Sequence, residues 1–403
     1  MKGPLSGVRI LALENFLAGP FGSMILGDMG AEVIKIEPTQ GDGSRLSAGP
    51  NHKAECSHYL AYNRSKKDII LDLRTPTGKE AFYDLVKVSD VVWNNYRAGV
   101  MKRLDADFNT LKKINPRIIC TNITGFGPSG PYRDLPSNDS TACGYSGILS
   151  VTGEPEGRPV RPGPAVPDLA GALYGVIGTL SALHERDKTG VGQIVEVSLL
   201  GSAIAFMAYH IASYTCSGVV PGPLGTGYGH AVPYGAYKTK DSYIVLGPCW
   251  PRIASVFGAD WLIEDPRFST LEDRLEYRQE LNEEMEKYFM MATTEEWLPI
   301  LQAADIIVGP FNTVDKVVAD SQVEHLNMIL NIKHPLGGEV RLAGNPIMTP
   351  SLEGEYMPPP TLGQHTDQVL RELLGYSKEK VRKLKEEQEA NTAELEKHTR
   401  RRK

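Results

Sequence analysis

One carboxylate in this sequence stands apart. Asp168, in Val166-Pro167-Asp168-Leu169-Ala170-Gly171-Ala172-Leu173-Tyr174-Gly175, is the only Asp, Glu, Lys or Arg between Arg161 and Glu185. It opens an apolar stretch of helical period whose small residues allow another backbone to come close. Two roles fit it. As a helix N-cap it would accept from an N2 or N3 amide and stabilise the helix by roughly 1 kcal/mol. As a nucleophile it would be held ionised by the same amides while apolar walls strip its water. Other chemistries are not written. The Gly-rich turn Asn15-Phe16-Leu17-Ala18-Gly19-Pro20-Phe21-Gly22 precedes a run ending in Glu37, as a dinucleotide site would, but it lacks Gly-x-Gly-x-x-Gly, whose second glycine meets the pyrophosphate. There is no Gly-x-x-x-x-Gly-Lys-Ser/Thr, His-Glu-x-x-His or Gly-x-Ser-x-Gly, and the nine histidines show no metal-ligand spacing, so no metal is expected.

The elements that must position these residues are an alternation of short β-branched runs and helical patterns. Val8–Leu13 is followed by Gly19–Met29, then Ala31–Glu37. Asp68–Leu73 precedes Thr77–Val88, Asp90–Tyr96 precedes Met101–Ile114, and Ile118–Thr124 closes the series. Strands separated by helix-length patterns predict βαβ units and a parallel, Rossmann-like sheet. Beyond Gly125 come Gly-Pro loops and two long apolar helices, Asp168–Arg186 and Ser198–Tyr214, joined by a strand at Gln193–Val197. No Asp, Glu, Lys or Arg occurs from Val197 to Tyr237. A membrane span needs about 20 mainly apolar residues, and Ser, Gly and His interrupt this run, so a buried core helix and a Gly/Pro-rich loop are expected. The loop after Ser217 reads as the domain boundary. Residues 225–325 then read as a smaller α+β unit with a hairpin turning at Thr239–Ser242. A Gly-Gly turn follows, and the highly charged Ser377–Lys403 reads as a solvated helix whose closing Arg-Arg-Arg-Lys could attract an anion.

Composition narrows the function. With 43 basic and 49 acidic residues the net charge is −6, which argues against nucleic acid as a partner. The five cysteines are odd in number, scattered and free of Cys-x-x-Cys, as expected of thiols in a reducing cytoplasm. No signal-peptide pattern stands at the start.

Several stretches in order carry a resemblance: Leu-x-Gly-x-Arg-Ile-Leu from Leu5, Ala18-Gly19-Pro20, Gly30-Ala31-Glu32-Val33-Ile34-Lys35-Ile36-Glu37, Asn63-Arg64-x-Lys66-Lys67 before Leu71-Asp72-Leu73, Thr124-Gly125-Phe126-Gly127, Lys188-Thr189-Gly190-x-Gly192-Gln193 and Leu362-Gly363-Gln364-His365-Thr366-Asp367. From Leu5 to about Tyr376 the sequence resembles the family III CoA-transferases, the group of formyl-CoA and carnitine CoA-transferases. The resemblance implies an α/β fold in which both chain ends build a Rossmann-like large domain, 1–215 with 330–403. A small α+β domain spans 225–325, the linkers are 216–224 and 326–329, and two chains interlock as a homodimer. It implies an enzyme with no permanently bound cofactor, using acyl-CoA as donor and a carboxylic acid as acceptor, and the interrupted apolar run gives no expectation of a membrane partner.

Carried residue by residue, the resemblance makes Asp168 the nucleophile that forms an anhydride and then an aspartyl-CoA thioester. Phe16, Leu17, Ala18, Arg74, Asn95, Tyr96 and Arg103 become CoA contacts, and Gly225, Gly227 and Gly229 a shielding loop. Structural roles stay open for each: packing for Ala18, solvated helix-end charges for Arg74 and Arg103, an interdomain linker for the glycine loop. Where the family commonly has a basic residue at the end of the second strand this chain has Pro38, so Arg45 is expected to supply that phosphate contact. The α-methylacyl-CoA racemases share the fold and use a His before an Asp. The matching residues are Asn138 and Asp139, and Asn is no base at neutral pH. Asp139 stays as an acidic second residue, with a turn or cap as its alternative. A catalytically idle CoA-binding protein is the third reading. The loop Gly130-Pro131-x-x-Asp134-Leu135-Pro136 looks like the branch handling aryl- or branched-chain 2-hydroxy acids.

Overall fold

The computed structural model describes residues 2–46, 51–52 and 55–400. They form two compact units, one of the described residues within 2–146, 163–208 and 325–400, the other of Gly147–Pro162 and Tyr209–Glu324.

The first unit is organised by strands β1 (Arg9–Leu13), β2 (Glu32–Glu37), a short antiparallel pair β3 (Asn51–His52) and β4 (Glu55–Cys56), then β5 (Lys66–Ile70), β6 (Val91–Asn94), β7 (Ile119–Thr124) and β8 (Ile194–Ser198). Six of them make one all-parallel sheet in the order β5-β2-β1-β6-β7-β8. Its helices are α1 (Ala18–Asp28), α2 (Ser57–Tyr62), α3 (Pro76–Lys87), α4 (Val100–Arg103), α5 (Phe108–Ile114), α6 (Asp139–Ser146), α7 (Val166–Thr189) and α8 (Leu199–Phe206), with α9 (Ala208–Ser217) following. Strand alternation sends Leu11, Leu13, Ile34 and Ile36 to one face and Ile10, Ala12 and Val33 to the other. The first face is covered by Phe82 and Leu85 of α3, Leu111 of α5 and Val381 and Leu384 of the C-terminal helix. The second is covered by Ile25 and Leu26 of α1 and Val176 and Leu183 of α7. Each such fully buried side chain contributes about 2 kcal/mol. From β1 the chain steps outward through β2 to β5, then returns to β6 on the other side of β1. The crevice at the carboxyl ends of β1 and β6 is therefore where a ligand is expected.

Three expectations change. The parallel sheet comes wholly from residues 9–198. The C-terminal part contributes its own hairpin, described below, and a helix at Lys378–Arg400 laid on the sheet. Residues 401–403 lie outside the described residues. Second, Gly147–Pro162 joins the second unit instead of the large domain, because the Gly225 amide donates to the Gly153 carbonyl at 2.8 Å and Gly225 packs on the Glu154 carboxylate. Third, the apolar run after Ser198 is not one buried helix. It breaks at Met207, and α9 buries none of its residues. Among the described residues one helix, α7, is by itself long and apolar enough to cross a membrane, and half of its most apolar 18-residue stretch is buried within the fold.

The second unit carries an antiparallel sheet of β9 (Gly235–Lys238), β10 (Tyr243–Leu246) and β11 (Val308–Pro310), in the order β11-β10-β9. Helices at Arg278–Phe289 and Thr294–Ala303 pack Leu281, Met285, Phe289 and Leu301 onto Tyr237, Ile244 and Leu246. The chain then returns to the first unit through the hairpin β12 (Ile329–His334) and β13 (Gly338–Ala343).

Candidate active site

Helices that connect parallel strands run opposite to them, so α1 and α7 both start at the carboxyl edge of the sheet. They pack against each other over the Trp93 ring, whose Nε1 donates to the Gly19 carbonyl at 3.0 Å. A Cβ on Gly22 would meet that ring at 2.3 Å and the Ala172 carbonyl oxygen at 3.3 Å, and one on Gly175 would meet the ring at 2.8 Å. Ala18 and Asp168 each lie one turn before this contact, Ala18 before Gly22 and Asp168 before Ala172. The two helix starts therefore stand side by side. Asp168 is not the cap. The helix begins at Val166 after Ala165, and Asp168 is its third residue, half-buried in the first turn, where the helix dipole favours a negative charge. Burial, and then the charge of Asp168, raise the Tyr62 phenol above its usual range. Tyr62 sits edge-on to Phe21 of α1, ring centroids 6.0 Å apart.

The first βα turn is held rigidly from below. Phe16 adopts φ 59°, a strained left-handed conformation for an aromatic residue. Its amide donates to Oδ1 of Asp42 and of Asn15, both at 3.1 Å. Asn95 brackets Asn15, accepting from its amide at 2.9 Å and donating to its carbonyl at 2.8 Å. The side chains of Leu17 and Ala18 are buried, which leaves backbone to face a ligand, and Leu17 precedes α1 with no side-chain cap.

Beneath the turn lies an ionic network that sequence reasoning did not pick out. Lys35 pairs with Asp42 at 2.8 Å, and Lys66 pairs with Glu14 at 2.8 Å while donating to the carbonyls of Pro20 and Tyr62 and to Asn63. Burial works against the Lys35 ammonium, yet the carboxylates of Asp42 and Glu14 hold it charged, above the usual lysine range. Burial brings Lys66 down to about 8, with Glu14 opposing. Burial also opposes the Asp42 carboxylate, but Lys35 holds it at about 2. The available signal was a lysine inside the otherwise apolar run of β2.

Arg45 does not serve a phosphate. Its side chain is 7% exposed, paired with Glu37 at 2.9 Å and Glu55 at 3.2 Å, stacked 3.7 Å from the Tyr59 centroid and donating to the Pro360 carbonyl. Those carboxylates compensate its charge in a place water does not reach.

Two cavities open along the carboxyl edge of the first unit. One, of about 270 Å³, is lined by Leu13, Ile36, Pro38, Leu71, Arg74 and Tyr96 among others. The other, of about 460 Å³, shares Tyr96 and adds Arg97, Lys102, Asn122, Arg133 and Glu196. Burial pushes Tyr96 up to about 12, so it stays a neutral donor. Arg74 is held by both oxygens of Asp72, at 2.7 and 2.8 Å, with 44% of its side chain exposed. Arg103 ends α4, exposed and beside Gly99.

Asp139 heads α6 and is buried. The cap there is Asn138, whose Oδ1 accepts from the Thr141 amide at 3.0 Å while its own amide donates to the Thr141 hydroxyl at 2.9 Å. Gly225, Gly227 and Gly229 belong to the second unit, where Thr226 Oγ1 accepts from the Ala236 amide and Arg278 donates to the Tyr228 carbonyl. Among the described residues no cluster of three His, Cys, Asp or Glu could hold a metal ion.

The model of CoA-transferase family III matches residues 5–366. The chain belongs to that family. Human succinyl-CoA:glutarate CoA-transferase is 36% identical over 93% of this chain and 86% of its own length. The succinate–glutarate CoA-transferase of Agrobacterium fabrum is 32% identical over 92% of this chain and 96% of its own. A crystal structure of a CAIB/BAIF family protein from Brucella suis superposes with a TM-score of 0.84 at 31% identity, covering 93% of this chain and all of that one. The chain is accordingly a CoA-transferase, moving CoA between an acyl-CoA and an acid.

Proposed function

We propose that Asp168 is the nucleophile of this transfer and that the crevice between β1 and β6 holds the CoA. The observation that carries the reading is the packing of α1 against α7, which brings the first turns of the two helices, with Ala18 on one and Asp168 on the other, side by side. A carboxylate oxygen attacks the thioester carbonyl, the C–S bond breaks, and CoA leaves as thiolate from a mixed anhydride. The thiolate attacks the aspartyl carbonyl, giving an aspartyl-CoA thioester and the freed donor acid. The acceptor carboxylate displaces the thiolate again, and the thiolate takes the acceptor acyl group, returning Asp168. Each step exchanges one acyl bond for another and consumes no water. Leu13, Ile36 and Leu71 suit the adenine face. Arg74 and Tyr96 suit phosphate and polar edges, Arg103 lies nearby, and Asn95 acts by bracing the turn. In the same reading Asp139 is the second acid near the site.

The relatives' names, with succinate, glutarate, malate and citramalate among them, favour dicarboxylic acids over the aryl- or branched-chain 2-hydroxy acids that the Gly130–Pro136 loop pointed to. A cytoplasmic enzyme remains part of the proposal, supported by five cysteines standing as thiols, four of them buried, and so does a homodimer, supported by the exposed apolar side chains of α7 and α8. The racemase reading loses support because the amide of Asn138 is engaged as a helix cap. Succinyl-CoA incubated with glutarate carrying heavy oxygen in its carboxylates tests the mechanism. Heavy oxygen should appear on the Asp168 peptide by mass spectrometry, one atom after a single turnover and up to two after many. Turnover with an unlabelled Asp168 would overturn it.

A further inference from the structure

The C-terminal helix, Lys378–Arg400, lies beyond the residues matched by the family model, yet it is tied to the rim of the smaller cavity. Gln388, 2% exposed, accepts from the Asp72 amide at 2.8 Å. Asn391 Nδ2 donates to Asp72 Oδ2 at 2.6 Å. Thr392 and Thr39 share a hydroxyl hydrogen bond at 2.5 Å, and the Glu387 carboxylate accepts from Thr77. Thr39 lies between Pro38 and Gln40, and Asp72 next to Leu73 and Arg74, so both tied loops line that cavity. Asp72 in turn takes Arg74 by Nε and Nη2 and accepts from its backbone amide at 3.0 Å. The remaining Nη1 edge of the guanidinium is the one left to meet an anion.

We propose that Asn391 and Gln388 are positioning residues: acting through Asp72, they aim Arg74 at a phosphate on the nucleotide end of CoA, so that the C-terminal helix sets affinity for the thioester without touching it. An Arg74 whose carboxylate partner is itself anchored loses little rotamer freedom on meeting the phosphate, and an unanchored one loses more. Asn391 is the sharper of the two, because its amide bonds the same oxygen that Arg74 Nη2 uses.

This rests on reading the cavity as the nucleotide site, and the experiment separates the two claims. Binding of the adenosine bisphosphate that forms the nucleotide end of CoA is measured by calorimetry for the wild type, Asn391→Ala, Asn391→Gln and Arg74→Ala. Asn391→Ala should weaken it about fivefold and raise KM for succinyl-CoA by the same factor with kcat held, while Asn391→Gln, which keeps the donor, recovers most of the loss. A purely structural helix would lower melting temperature and kcat together and leave bisphosphate affinity alone. If Arg74→Ala weakens binding and Asn391→Ala does not, the positioning role is overturned and the site reading stands. If the wild type does not bind the bisphosphate, or Arg74→Ala binds it as the wild type does, both fall.

Discussion

Asn95 holds Asn15 from both sides, its Oδ1 taking the Asn15 amide and its Nδ2 giving to the Asn15 carbonyl. A residue at the end of β6 thereby fixes the backbone at the end of β1, across the crevice where the strand order reverses. Asn95→Ala frees that turn, and the strained Phe16 conformation relaxes. KM for acyl-CoA should rise about tenfold with a smaller change in kcat, since misplaced backbone weakens binding more than chemistry. Asn95→Asp should behave similarly, because it keeps the acceptor and loses the donor. Steady-state kinetics with the donor varied checks this, and an unchanged KM in both variants would contradict it.

Asp168→Ala should lower kcat by on the order of a thousandfold while acyl-CoA affinity stays within a few fold. Asp168→Asn should be nearly as inactive, because the amide keeps the size but offers no anionic oxygen. Rapid-quench kinetics and equilibrium binding on the same preparations test the pair. Turnover above a few per cent of wild type would remove Asp168 from its role.

The sheet was open to sequence reasoning because its code is local: alternation in β1 and β2 and helix-length spacing between strands name each element without knowledge of its neighbours. Asp168 was placed one turn too early for a local reason as well. An Asp before an apolar run reads as a cap, but Pro167 is preorganised for a first helical turn and lets the helix start at Val166. Arg45 was beyond reach, since its partners Glu55, Tyr59 and Pro360 are brought together only by the fold. Several motif residues turn out to be framework. His365 accepts from the Asp68 amide at 3.0 Å, and Gly363 donates to the Asp68 carboxylate, so the Leu-Gly-Gln-His-Thr-Asp stretch docks on β5.

Asp42 makes the turn sensitive to acid. Its folded value of about 2 lies below the ordinary 3.8, so the unfolded chain binds the proton more readily. The stability it contributes is complete above pH 3.8, amounts to about 2 kcal/mol, and is lost as pH falls through about 2. Asp42→Asn should therefore be less stable than wild type at pH 5, with the gap narrowing toward pH 2. Calorimetric melting across that range is the measurement, and a gap independent of pH would refute the assignment.

Asn138→Ala should cost about 1 kcal/mol through the lost cap of α6 and leave transfer chemistry intact. A racemase would exchange the α-hydrogen of a branched acyl-CoA with deuterated solvent in the absence of an acceptor acid. Neither the wild type nor Asn138→Ala should show that exchange. Deuterium uptake without acceptor in either protein would reopen the alternative.

The last expectation concerns association. Along α7 the residues Ala172, Val176 and Thr179 are buried, while Leu173, Tyr174 and Ile177 are exposed, Ile177 by 58%. Ile204 and Phe206 of α8 are exposed as well, and β8 is the open edge of the parallel sheet. Large apolar side chains in water beside an unpaired strand call for a cover. A second copy of the chain supplies it in the proposed interlocked dimer, where dissociation requires partial unfolding and folded monomer is not populated. Sedimentation should give a species of twice the chain mass down to nanomolar concentration. Ile177→Lys, which sets a charge in the covered face, should lower the melting temperature and drive aggregation without yielding a stable single chain. A compact species of one chain's mass, in the wild type or in Ile177→Lys, would show that the exposed faces of α7 and α8 are not an obligate interface.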